Sequence, residues 1–150
     1  EAKIRNEVAT VPGLDGQKMS KSYDNTIEIF LPPKKLRKKI MSIVTDSKGV
    51  DDPKDPETCN VFGLYKLFAA PTQQAELAAR YRAGGLGYGH AKQALFEVVD
   101  AQLEEARRRY EHLKAHPNEV TKVLDQGAER ARITARATLD RVRSASGLSR

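Results

Sequence analysis

Residues 13–26, GLDGQKMSKSYDNT, hold two lysines three positions apart, Lys18 and Lys21, interleaved with the hydroxyls of Ser20 and Ser22. Ammonium groups and hydroxyls at this spacing can reach several oxygens of one polyphosphate, by charge and by hydrogen bonds. Gly13 and Gly16 are expected to let the segment swing, and Met19 to pack beneath it as an apolar anchor. Such a loop suits a reaction in which negative charge builds on a departing pyrophosphate, and a mobile loop can open to release product. From composition alone, a solvated Lys/Ser-rich linker is the competing reading.

Little else in the chain resembles chemistry. Cys59 is the sole cysteine, which excludes an intrachain disulfide and fits a reducing, cytoplasmic setting. With that cysteine and three scattered histidines, His90, His112 and His116, no zinc ligand set is expected. The glycine-dense GGLGYG at 84–89 neither follows a strand nor has phosphate-loop spacing, and reads as a connection between helices. Asp46 is expected either to stabilise a turn or to dock on another domain. Tyr88 and His90 fall at a helix start, where packing and capping outrank catalysis.

The chain has 150 residues, the length of one ordinary domain or of the back half of a larger protein. It begins with Glu1, so a piece of a longer polypeptide is expected. Hydrophobic residues at 39% can form a core, and no apolar run approaches membrane-spanning length. Net charge is +6, with −1 over residues 1–31 and +7 over 32–150. Basic clusters lie at 34–39, at Arg107–Arg109, and along Arg130, Arg132, Arg136, Arg141 and Arg143. Each alone reads as a solvated helix face; three on one helical unit favour RNA as a partner.

The elements that must position the loop are mostly helices. Residues 7–14 read as a short strand or extended segment, and TIEIF at 26–30 as a brief strand or a helix lead-in. From Pro32 the pattern turns helical, with Leu36, Ile40 and Ile43 at helical spacing. After a polar loop over 45–58, a helix with Asn60 as cap carries Val61, Leu64, Tyr65 and Phe68 on one stripe, and a helix opened by Pro71 ends at Gly84. Two long helices follow, broken at His116–Pro117–Asn118. Leu95, Val99, Leu103, Ala106, Tyr110 and Leu113 stripe the first. Val120, Leu124, Gly127, Ala131, Ala135, Thr138 and Val142 stripe the second, and both stripes are expected to be core.

KMSKS, at 18–22, is the second signature of class I aminoacyl-tRNA synthetases. With KKIMSIVTDS, VFGLYKLF, GYGHAKQALFEVV and GAERARITARATLDRVRSASGL, the chain resembles bacterial-type tryptophanyl-tRNA synthetases from about residue 8 to its end. The helical segments point to the tryptophan enzymes rather than their tyrosine relatives. The resemblance implies a mainly α fold, with residues 1–31 as the end of a Rossmann-type catalytic domain carrying the KMSKS loop and 32–150 as a helical domain on the tRNA anticodon side. It implies formation of tryptophanyl-adenylate from tryptophan and ATP with Mg2+, transfer to tRNA(Trp), and a homodimer at full length. Lys18 and Lys21 match the family lysines that contact ATP phosphates; Met19, Ser20 and Ser22 match loop positions around the nucleotide. The family's HIGH-type motif and indole pocket are absent from these residues, so the isolated chain is expected to be inactive. A tyrosine–tRNA ligase fragment and a free-standing basic helical RNA-binding module are the alternatives.

Overall fold

The structure, a computed structural model, describes residues 10–148. Among the described residues the chain is helical, with five α-helices, a 3-10 turn at Lys21–Tyr23 and no named strand. An antiparallel bridge joins Pro12 to Lys18. The chain divides into two compact units, one up to Arg107 and one from Arg108 onward.

The first unit contains α1 (Pro33–Met41), α2 (Asn60–Phe68), α3 (Pro71–Ala83) and the greater part of α4 (Tyr88–Ala115). Helices α1 and α3 open with proline at the first turn, where its preset φ fits and its missing N–H leaves nothing unpaired. The expected cap of α2 is corrected by one residue. Cys59 holds the N-cap position, and the Asn60 amide donates instead to the Val44 carbonyl at 3.2 Å.

Two expected extended segments also differ. Of the strand over 7–14, residues 7–9 lie outside the described residues, and Pro12 alone of the rest forms a bridge. TIEIF forms neither strand nor helix: Ile29 and Phe30 are exposed, and Glu28 is drawn to the Lys39 ammonium at 2.7 Å. Two alternating isoleucines, Ile27 and Ile29, without a paired strand do not sustain β structure.

The stripes of α1 and α2 and the first part of the α4 stripe meet in one core. Leu36 and Ile40, Val61, Leu64 and Tyr65, and Leu95 and Val99 are buried. Ile43 is buried too, but it lies beyond the end of α1, its N–H donating to the Ile40 carbonyl. Tyr81 of α3 is completely enclosed and meets Phe62 and Tyr88 edge-on, with ring centroids 5.6 and 6.4 Å away. Each such apolar side chain contributes about 1.5–3 kcal/mol through removal from water.

Polar groups drawn into this unit are paired. Lys54, only 3% exposed, donates to the carbonyls of Gly49, Asp52 and Val50 at 2.6, 2.9 and 3.2 Å. Tyr88 donates to Asp46 at 2.6 Å, and Asp46 also accepts from the Lys48 N–H, the turn-stabilising role expected of it. Arg107 is buried rather than part of a basic face. It donates to Asp100 at 2.7 Å and to the Leu31 carbonyl at 3.0 Å, and leaves Arg108 and Arg109 as the exposed members of that cluster.

The second unit contains α5 (Pro117–Ala145), again opened by proline. Its stripe has the expected period but is not core: none of its residues is buried, and Val120, Leu124 and Val142 are 40, 66 and 57% exposed. Period 3.6 makes an apolar face; burial requires a second surface against it. No helix of the described residues is long and apolar enough to cross a membrane.

Candidate functional site

The loop over 13–25 folds back on itself. Gly13 N–H donates to the Gln17 carbonyl at 2.7 Å and Met19 N–H to the Val11 carbonyl at 2.9 Å. Ser20 then caps the 3-10 turn, its hydroxyl oxygen accepting from Ser22 N–H at 3.3 Å. Asp24 ends the turn at φ +52°, a left-handed conformation that Asp tolerates better than most residues.

Asn25 holds these pieces together. Only 3% exposed, it accepts from Ser20 N–H at 2.8 Å through Oδ1 and donates through Nδ2 to Asp15 Oδ1 at 2.8 Å and the Lys18 carbonyl at 3.2 Å. Its own carbonyl accepts from Leu14 N–H at 2.9 Å. The hydrogen bond from Asn25 holds the Asp15 carboxyl below its ordinary range, and the Gln17 N–H adds to the effect. Sequence reasoning missed Asn25. The available signal was its place in YDNT, a turn-rich stretch, but no sequence rule pairs it with Asp15 ten residues earlier.

The structure shows a role for the two glycines beyond the expected freedom to swing: each allows a close approach. A Cβ on Gly13 would collide with the Asn25 side chain, and one on Gly16 with the Asn60 amide. Gly16 also has φ +82°, which disfavours any L side chain. The loop base is docked further by Val44 N–H donating to the Leu14 carbonyl at 2.8 Å.

The motif side chains separate by chemistry. Met19 is half-buried and lines an apolar cavity of about 250 Å³ with Ile40, Leu64, Leu95 and Val99. Lys18, Lys21 and Ser22 are exposed, and Ser20 is half-buried. Among the described residues neither lysine's ammonium makes an ion pair or hydrogen bond, so both remain available to an anion. A larger hollow of about 550 Å³ is lined by Gly16, Asn60, Thr58 and Lys66, and by none of residues 18–22. Lys66 is already paired with Glu57 at 2.9 Å.

Elsewhere, His112 and His116 come together with Glu119, although their spacing suggested no ligand set. Exposed members of the three basic clusters lie on α1 (Lys34, Lys35, Arg37 and Lys38), on α4 (Arg108 and Arg109) and on α5 (Arg130, Arg132, Arg136, Arg141 and Arg143).

Comparison with known proteins is consistent with this loop and helical core. The family model for class I tRNA synthetases (W and Y) matches residues 4–104. The tryptophan–tRNA ligase of Campylobacter jejuni is 49% identical over 99% of this chain and 46% of its own length. That of Pseudomonas aeruginosa is 47% identical over 99% of this chain and 33% of its own. A crystal structure of the Campylobacter jejuni tryptophanyl-tRNA synthetase, complexed with ADP and tryptophan, superposes with a TM-score of 0.90, covering 99% of this chain and 46% of that one. The chain thus spans about half the length, or less, of these relatives. With the match extending through the loop and from α1 to most of α4, the chain belongs to the class I tRNA synthetases of the tryptophan and tyrosine type.

Proposed function

We propose that this chain is the C-terminal part of a tryptophan–tRNA ligase that activates tryptophan with ATP and charges tRNA(Trp). Residues 1–31 would form the edge of a Rossmann-type catalytic domain, and 32–150 a helical domain on the anticodon side. The tryptophan relatives named above favour this over a tyrosine ligase, and the intact loop favours it over a free-standing RNA-binding module. A cytoplasmic location and a homodimer at full length belong to the same reading.

The observation that carries the proposal is a fixed loop base bearing two unneutralised lysines. Asn25 holds the backbone, while Lys18 and Lys21 present charge to solvent. In this reading Lys21 stabilises the charge that develops on the β- and γ-phosphates of ATP, with Lys18 assisting. Ser20 and Ser22 offer hydrogen bonds beside them, and Met19 sets the loop height. Mg2+ would arrive with ATP as its counterion. Cations aimed at developing charge lower the barrier more than they tighten ground-state binding.

The test is tryptophan-dependent ATP–pyrophosphate exchange by the full-length gene product. Lys21→Ala is expected to reduce kcat about 10²–10³-fold with little change in the KM for tryptophan. A loss below about threefold overturns the assignment. The 150-residue chain alone is expected to charge no tRNA, and turnover comparable to a full-length synthetase would refute its dependence on another half.

A further inference from the structure

Among the described residues, one group of metal-ligating side chains lies together: His112, His116 and Glu119 in the second unit. The break at His116–Pro117 creates it. His112 is in the last turn of α4, His116 is the N-cap residue of α5 and Glu119 is in its first turn. One ligand atom from each residue lies within 4.8 Å of the other two. His112 Nε2 faces both oxygens of Glu119, at 3.1 and 3.2 Å. The two imidazoles stack, with centroids 4.3 Å apart and planes inclined by 25°.

The tautomer of His116 follows from its partner. Nδ1 lies 2.8 Å from the His112 carbonyl oxygen, which can only accept, so Nδ1 carries a hydrogen. A neutral His116 therefore has its lone pair on Nε2. A backbone carbonyl bound to the far nitrogen is the usual device that orients a metal-ligating histidine.

We propose that His112, His116 and Glu119 bind one divalent transition-metal ion of the Zn2+ type, with the remaining coordination open to water. Two imidazoles and a carboxylate suit Zn2+, Co2+ or Ni2+ better than Mg2+ or Ca2+, which prefer all-oxygen sites. Tetrahedral coordination with bonds of about 2.0–2.1 Å brings ligand atoms to about 3.3 Å from one another. The site would close to that spacing by rotation of the exposed His112 and Glu119 side chains, which unstacks the imidazoles while the His112 carbonyl keeps its hold on His116 Nδ1. Metal binding would displace the His112–Glu119 hydrogen bond with two stronger bonds and clasp the junction of α4 and α5.

Titration of the chelator-treated 150-residue chain with Zn2+ by calorimetry tests this, with Co2+ absorption reporting nitrogen and oxygen coordination. One ion per chain is expected. His112→Ala, His116→Ala and Glu119→Gln are each expected to weaken binding at least about tenfold. His90→Ala and Cys59→Ser should leave it unchanged, and circular dichroism should show the same helicity in every variant. Absence of binding, or wild-type affinity in the His112→Ala and His116→Ala variants, overturns the site and leaves His112–Glu119 as a metal-free hydrogen bond.

Discussion

Helices α2 and α5 are both amphipathic, yet their apolar faces meet opposite fates. Val61, Leu64 and Tyr65 of α2 are buried, whereas Leu124 and Val142 of α5 are more than half exposed. The neighbouring residues differ as well. One lysine, Lys66, is the sole charged residue of α2, while α5 carries arginines along much of its length. A stripe states which side of a helix prefers to leave water; the company it finds determines how much stability that preference contributes.

The sharpest way to break this comparison is truncation on both sides of it. Leu95→Ala should destabilise the chain by about 2–5 kcal/mol, because it empties space in a closed core. Leu124→Ala should stay within about 0.5 kcal/mol, since its side chain is already in water. Urea unfolding reads both, and equal losses would show that the α5 stripe is buried in solution.

A smaller effect is expected within the first unit from Asn25→Asp. It replaces an amide donor with a carboxylate facing Asp15 Oδ1 and the Lys18 carbonyl, a cost of about 1–3 kcal/mol. Hydrogen exchange should show protection lost over 13–25 and retained through α5. Unchanged exchange in the loop would mean that Met19 and the backbone bonds hold it without Asn25.

The smallest effect is the response to acid. The Tyr88 hydroxyl holds the Asp46 carboxyl below its ordinary range, as Lys39 does for Glu28 and Asn25 for Asp15. A depressed carboxyl contributes stability that is present above its unfolded pKa and lost as pH falls through its folded one. Thermal melting should therefore weaken below about pH 4, from ordinary values of 3.8 for Asp and 4.5 for Glu. Asp46→Asn should flatten part of that decline while leaving the helicity of α5 unaltered. An unchanged acid limb would assign the sensitivity elsewhere.

Much of the helical framework was legible because its signals are local. Pro33, Pro71 and Pro117 open helices, and the His116–Pro117 break separates α4 from α5. The KMSKS signature was readable for the same reason. What escaped depends on distant pairs. Arg107 looked like part of a basic run until its partners Asp100 and Leu31 were known. Gly13 and Gly16 looked like hinges, whereas each admits a neighbour's side chain that sequence order does not reveal. Glu119 joins His112 only because the chain turns between them.

The polar loop over 45–58 folds around the Lys54 ammonium, whose three hydrogen bonds all end on carbonyl oxygens. Converging carbonyls are what a loop often offers a bound inorganic cation. Here that cation is tethered to the chain itself and cannot be diluted or exchanged. The loop should hold its shape whatever ions the buffer supplies.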